Sequence, residues 1–329
     1  MSHGGIHCLS IPTPFQVGRV NCYLIEDDPL TLVDTGPNSG KALDALEQAL
    51  DVHGRSVEDL ERIVITHQHP DHEGLLDVLY RRSGAEVCAL DVLAPVLEDH
   101  ASAADADNLA AAELLRRHGV AVDVVTVLQA MNKAFRGWSA SAPVDRVLAD
   151  GGELPFAGRT LRVWHRPGHS PSDTVFHDAE RAVLLGGDHL IAHISSNPLL
   201  QRPLGGKSGD ASAERPRALL NYMTSLRETA AMDAVEVVLP GHGEPVTGAA
   251  ELIAGRLEMN ERRAEKISGL LDAGPRTAHE LAHELWDALA LTQALLTLSE
   301  VLGHLDLLID RGEVVEDASG DLVRFALAD

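Results

Sequence analysis

The sequence predicts an α/β protein with a helical insert and a small, winged-helix-like C-terminal module. Three observations carry this reading. Short apolar runs rich in Val, Ile and Leu recur as far as Leu239, separated by segments of helical period. Between about Ala94 and Trp138 the pattern is wholly helical. From Arg276 onward, two helical stretches precede two short apolar runs, the order of a helix pair followed by a two-stranded wing. Residues 1–274 are therefore read as the main domain, with the insert at about 94–138, and residues 275–329 as the winged-helix-like module.

The elements follow in order. Val20–Ile25 and Leu30–Val33 read as strands joined by a turn at Glu26–Pro29, and the second ends at Asp34-Thr35-Gly36-Pro37. Lys41–His53 has helical period, with apolar residues at 42, 43, 46, 49 and 50. Arg62–Ile65 is a short buried strand that runs into Thr66-His67-Gln68-His69-Pro70-Asp71-His72. Asp71–Arg82 reads as one helix and Glu86–Ala89 as a strand. The insert ends in Met131–Trp138, which is rich in large side chains and reads either as helical packing or as a lid with an apolar wall. Strands resume near Val144, Leu161, Thr174 and Val183. Gly186–Gly209 has no period and reads as a loop over the site. Glu214–Met232 is helical, Val235–Leu239 a strand and Ala249–Leu271 a long helix. The module contributes helices at Ala278–Leu289 and Leu295–Arg311, then apolar runs at Glu313–Val315 and Leu322–Phe325.

Composition narrows the function. With 45% hydrophobic residues but only 3% aromatics, the core must be built mostly from aliphatic side chains. No run approaches the roughly 18 apolar residues of a membrane span. The first ten residues lack Lys and Arg and do not read as a signal peptide. Three widely spaced cysteines, Cys8, Cys22 and Cys88, suggest neither a disulfide framework nor a zinc knuckle, so a cytoplasmic location is expected. A net charge of −23 argues against a nucleic-acid partner. The C-terminal module repeats the argument: Arg276, Arg311 and Arg324 face eleven acidic residues there. Packing on the main domain, dimerisation or shaping a pocket are its expected roles.

The chemistry concentrates in one pattern. His67 and His69 stand two apart at a strand end, so in extended chain both imidazoles point the same way. Asp71 and His72 follow a proline suited to a first helical turn, which swings them to the other side of the loop. Further ligands belong at strand ends. His169 in Pro167-Gly168-His169, Asp188 in Gly186-Gly187-Asp188 and His242 in Pro240-Gly241-His242-Gly243 each follow an apolar strand beside glycine, which permits close backbone approach.

This ordered set resembles the metallo-β-lactamase-fold hydrolase superfamily over about residues 6–250, and the Asp34-Thr35-Gly36 turn adds to the likeness. The resemblance implies an αββα sandwich. It assigns His67, His69 and His169 to one metal ion, Asp71, His72 and His242 to a second, and Asp188 to both. Two zinc ions suit these donors, with iron or manganese chemically admissible. It further implies that a metal-bridging hydroxide attacks the substrate, with Asp71 orienting it or relaying a proton.

The lactamases proper usually lack the bridging aspartate, and the oxygen-reducing diiron relatives carry a carboxylate where His69 stands. The acidic surface, the insert and the appended module instead resemble the small-molecule hydrolases. Cleavage of a small acyl substrate, a thioester, lactone or related ester or amide, is therefore expected. A phosphodiesterase or nuclease is the alternative, disfavoured by a chain with four lysines. Asp34 is read as support for the ligands, and His189 and His193 as surface or core residues rather than substrate contacts. His7, His53, His100, His118, His165 and His177 are read as incidental. His279-Glu280-x-x-His283 matches a zinc-protease signature, but Thr277 with Glu280 reads as a capping box that starts an ordinary helix.

Overall fold

The computed structural model describes residues 2–204 and 215–328. The last part of the loop expected at Gly186–Gly209, and Glu214, lie outside the described residues.

Seven strands form the first sheet in sequential order: β1 (Ser2–His3), β2 (Ile6–Ile11), β3 (Val20–Ile25), β4 (Thr31–Val33), β5 (Arg62–Val64), β6 (Glu86–Leu90) and β7 (Arg146–Leu148). β1 to β4 form an antiparallel meander, and β4 to β7 run parallel. Parallel neighbours require crossovers, and helices supply them. α1 (Gly40–Asp51) links β4 to β5, while α2 (Pro70–Glu73) and α3 (Leu76–Ser83) link β5 to β6. The insert, α4 (Ala94–Glu98), α5 (His100–Arg117) and α6 (Val122–Phe135), links β6 to β7. Ser39 caps α1 by accepting from Ala42 N, and Ala42, Leu46 and Leu50 bury its inner face.

The second sheet has six strands in the order β13-β12-β11-β10-β9-β8. These are β8 (Glu153–Pro155), β9 (Thr160–His165), β10 (Thr174–Asp178), β11 (Val183–Gly187), β12 (Val237–Pro240) and β13 (Val246–Thr247). Its strands alternate in period two between two cores. Phe176, Leu185 and Leu239 join the first sheet, α1 and α3 in one core. Val175, Leu184 and Val238 face the opposite way, toward α7 (Ala218–Ala230) and α8 (Ala249–Leu270). The result is the expected αββα sandwich.

The tail folds as α9 (Ala278–Trp286), α10 (Leu289–Thr292) and α11 (Ala294–Asp310), then an antiparallel pair, β14 (Val314–Asp317) and β15 (Arg324–Leu327). Leu298, Val301, Leu302 and Leu305 of α11 share the second core with Leu219 and Tyr222 of α7, Ile267 of α8 and Leu115 of the insert.

Two of the expected helices end or break early. The helix expected over Asp71–Arg82 is broken at Gly74-Leu75. There Leu75 N turns to donate to Gly36 O, and a Cβ on Gly74 would overlap Trp138 O, Asn38 N and Pro70 O. The helix expected to reach Leu289 ends at Trp286, because Asp287 adopts φ 47°.

Candidate metal centre

The site lies where β4, β5, β11 and β12 end and where the loop after β9 turns back. Asp34 follows β4 in a left-handed conformation (φ 60°) that aims its carboxylate under the neighbouring loop. It accepts from Thr66 N at 2.9 Å and Thr66 Oγ1 at 2.8 Å, and its Oδ2 lies 2.8 Å from His72 Nδ1. One carboxylate, only 2% exposed, therefore orients both ends of the histidine-rich loop. Thr35 adds backbone and hydroxyl bonds to His72 O. Pro70 opens α2, so Asp71 and His72 fall in its first turn as expected.

The structure brings all seven expected residues together. His69 Nδ1 lies 3.1 Å from His67 Nε2 and 3.0 Å from His169 Nε2. Asp188 spans the site: it reaches His169 Nε2 at 3.6 Å, His72 Nε2 at 3.4 Å and His242 Nε2 at 3.4 Å. His242 Nε2 is also 3.3 Å from Asp71 Oδ2. Ligand atoms of His67, His69 and His169, and of Asp71, His72 and His242, form two groups in which every pair lies within 4.8 Å.

The outer faces of these rings are held by the protein. His67 Nδ1 meets Thr66 Oγ1 at 3.0 Å, His169 Nδ1 meets Asn197 O at 3.2 Å and His242 Nδ1 meets Arg19 O at 2.7 Å. His69 Nε2 lies 3.3 Å from Gln201 Nε2. Their inner nitrogens converge on one another. His72 Nε2, His242 Nε2 and Asp188 Oδ1 are buried without a hydrogen-bond partner. Buried polar atoms are ordinarily satisfied. Such orphaned lone pairs, on rings oriented from behind, fit divalent cations.

Gly241 makes this approach possible: a Cβ there would overlap Asp188 Oδ1 and come within 2.6 Å of His72 Cε1. Electrostatics divide the donor set. Burial opposes the charge on His72 and His242, yet Asp188 raises the first well above the usual imidazole range and the second to about 9, so these two rings would bind a cation by releasing a proton. Burial holds His69 down to about 3, with His169 adding to the effect, so one ring nitrogen keeps its lone pair free at neutral pH. Burial also depresses His67, reinforced by His72 and His69. Burial opposes the charge on Asp188, yet His72 and His242 hold its carboxyl well below the usual range.

Sequence reasoning missed several supports. Gln68 Nε2 donates to Gln201 Oε1 at 3.0 Å, joining the loop to the segment after β11. Glu73 is fully buried with neither carboxylate oxygen hydrogen-bonded, His100 Nδ1 lying 3.5 Å from Oε1, and burial pushes its pKa up to about 8. A cavity of about 230 Å³ opens beside His69, walled by Val96 of α4, Ala103 and Ala111 of α5, Phe135 of α6, and Leu200 and Leu295. The insert thus lines a cavity that reaches His69. No local pattern signals these contacts, because each joins distant parts of the chain.

The other histidines divide. His189 turns away to Thr229 Oγ1 at 2.9 Å. His193 lines a separate cavity with Arg19 and Tyr23. His279 and His283 join no metal-holding group among the described residues, and Thr277 and Glu280 form the expected capping box.

Comparison with known proteins is consistent with this geometry. The profile of the metallo-beta-lactamase superfamily matches residues 16–242. The probable metallo-hydrolase YqjP of Bacillus subtilis is 33% identical over 99% of this chain and 98% of its own length. The atrochrysone carboxyl ACP thioesterase of Emericella nidulans is 26% identical over 77% of this chain, which spans 60% of that protein. The crystal structure of a metallo-beta-lactamase family protein from Thermus thermophilus superposes with a TM-score of 0.80 at 28% identity, covering 98% of each chain.

Proposed function

The chain belongs to the metallo-beta-lactamase superfamily as a metallo-hydrolase, and on that premise we propose that it cleaves a small acyl substrate, a thioester, lactone or related ester or amide, at a dinuclear metal centre. The observation that carries the dinuclear reading is Asp188, whose carboxylate contacts His169 of one ligand group and His72 and His242 of the other. We assign His67, His69 and His169 to one ion, Asp71, His72 and His242 to the second, and Asp188 to both. The donors suit zinc, with iron or manganese also compatible. When bound, such ions would acidify a water enough to yield hydroxide near neutral pH and would polarise a substrate carbonyl.

The chain's own residues supply the remainder. Asp71 is read as catalytic, with one carboxylate oxygen against His242 and proton transfer as its task. Asp188 holds the two halves of the site in register. The cavity beside His69 takes the acyl group, with Phe135, Val96 and Leu200 excluding water from it. Similarity to an ACP thioesterase supports the thioester among these substrates. The charge of −23 supports a small-molecule substrate over nucleic acid. The order of α9–α11 and the β14–β15 pair supports reading residues 275–329 as winged-helix-like, with packing or dimerisation as its role. Unpaired Cys8, Cys22 and Cys88 support a cytoplasmic location.

The test is kcat/KM on metal-loaded protein for an acyl thioester and a simple phosphodiester, with Asp188→Ala as control. A large preference for the thioester that disappears in the variant is expected. A preference for the phosphodiester would overturn the acyl reading in favour of a phosphodiesterase or nuclease.

A further inference from the structure

We propose that His7, Glu26 and His53 form a separate site for one divalent cation of the zinc class. The residues come from three elements: His7 from β2, Glu26 from the turn after β3, and His53 from the turn after α1. One ligand atom from each lies within 4.8 Å of the other two. His7 Nε2 is 2.7 Å from Glu26 Oε2, and the rings of His7 and His53 lie 4.2 Å apart at 46°.

Two imidazoles and one carboxylate are a zinc donor set that leaves a coordination position for water. The side chains of His7 and Glu26 are 18% and 34% exposed, so water reaches that position. The backbone beneath is regular. Glu26 N donates to Gly5 O at 3.0 Å, Ile6 pairs with Ile25, and His53 N donates to Leu50 O at 2.9 Å. Arg55 Nε lies 3.9 Å from Glu26 Oε1, the oxygen not turned toward His7. An exposed pair at that distance is a weak competitor for the carboxylate.

The topology separates this cluster from the centre described above. β3 and β4 are antiparallel, with Ile25 opposite Thr31 and Tyr23 opposite Val33. Asp34 and the metal centre follow Val33, whereas Glu26 follows Ile25, at the opposite end of the sheet. β2 agrees: its Ile11 pairs with Val20, which bridges to His242, while His7 lies toward the other end. A cation here would tie the β2–β3 pair to the end of α1 without touching the reacting groups.

The experiment is a zinc count after equilibrium dialysis and buffer exchange, comparing the intact protein with His53→Gln and with the double variant His7→Gln/His53→Gln. The intact protein is expected to retain one equivalent more than either variant, whatever number the main centre holds. Asp188→Ala should keep that extra equivalent. A copper(II) titration followed by electron paramagnetic resonance should show a nitrogen-coordinated signal lost in the double variant. Circular dichroism of the variants confirms that they fold. Equal zinc content and equal copper spectra in the folded variants would overturn the proposal.

Discussion

Replacing Asp34 probes how the fold prepares the centre before any metal arrives. Its carboxylate, 2% exposed, serves Thr66 N, Thr66 Oγ1 and His72 Nδ1 at 2.8–2.9 Å. Asp34→Asn is the cleaner change, because asparagine tolerates the φ of 60° that would strain alanine. The amide retains one accepting oxygen, so the Thr66 contacts can survive in part, but its NH2 group opposes a proton on His72 Nδ1. Asp34→Ala leaves all three donors without their acceptor. An unsatisfied buried donor costs about 1–3 kcal/mol, and breaking a buried charged pair about 3–5 kcal/mol. The expected loss is therefore about 3–5 kcal/mol for Asp34→Ala and about half that for Asp34→Asn. Metal affinity should fall roughly 10–100-fold in both, since His72 loses its orienting partner. Chelator competition measures the affinity, and urea unfolding of metal-free protein measures the stability. An Asp34→Asn protein that binds zinc within twofold of the original would refute the view that this carboxylate sets the His72 ligand.

Further outcomes follow from other contacts. Gly241→Ala forces a Cβ into Asp188 Oδ1 and the His72 ring, so the purified variant should hold at least one equivalent of metal less by elemental analysis. Phe135→Ala opens the wall of the cavity beside His69 and should raise KM for an apolar acyl thioester by roughly tenfold while leaving a short acetyl substrate little changed. His118 is buried against Phe325, and burial, with help from Arg215 and Arg117, holds its pKa down to about 3 from 6.5. The unfolded chain thus binds the extra proton, and the stability this neutral ring contributes is complete above pH 6.5 and declines as pH falls toward 3. Unfolding of the metal-free protein at pH 7.5 and pH 5 should show about 2 kcal/mol less acid loss in His118→Gln, and an unchanged pH difference would count against a neutral buried ring.

Local sequence determined much of this protein. The apolar runs ending in Asp34, Thr66, Gly187 and Pro240 marked the strand ends, because a parallel or mixed sheet delivers its loops to one edge. The spacing of His67, His69, Asp71 and His72 announced that their side chains converge at one loop, because strand period and a proline-started turn suffice to aim them. The capping box at Thr277 likewise marked a helix start within four residues. Other features required the tertiary structure. The break at Gly74 depends on Gly36 and Trp138, which no window around residue 74 contains. β2 lacks strict alternation, since His7 and Cys8 are both half-buried, and it gains strand identity from pairing with β3. Gln201, Asn197 O and Arg19 O orient ligands from positions far away in the chain. His7 and His53, unremarkable in sequence, meet Glu26 only because α1 folds back across the sheet. Periodicity and short motifs encode what neighbouring residues do to one another, whereas the second contacts of each ligand are set by the packing of distant segments.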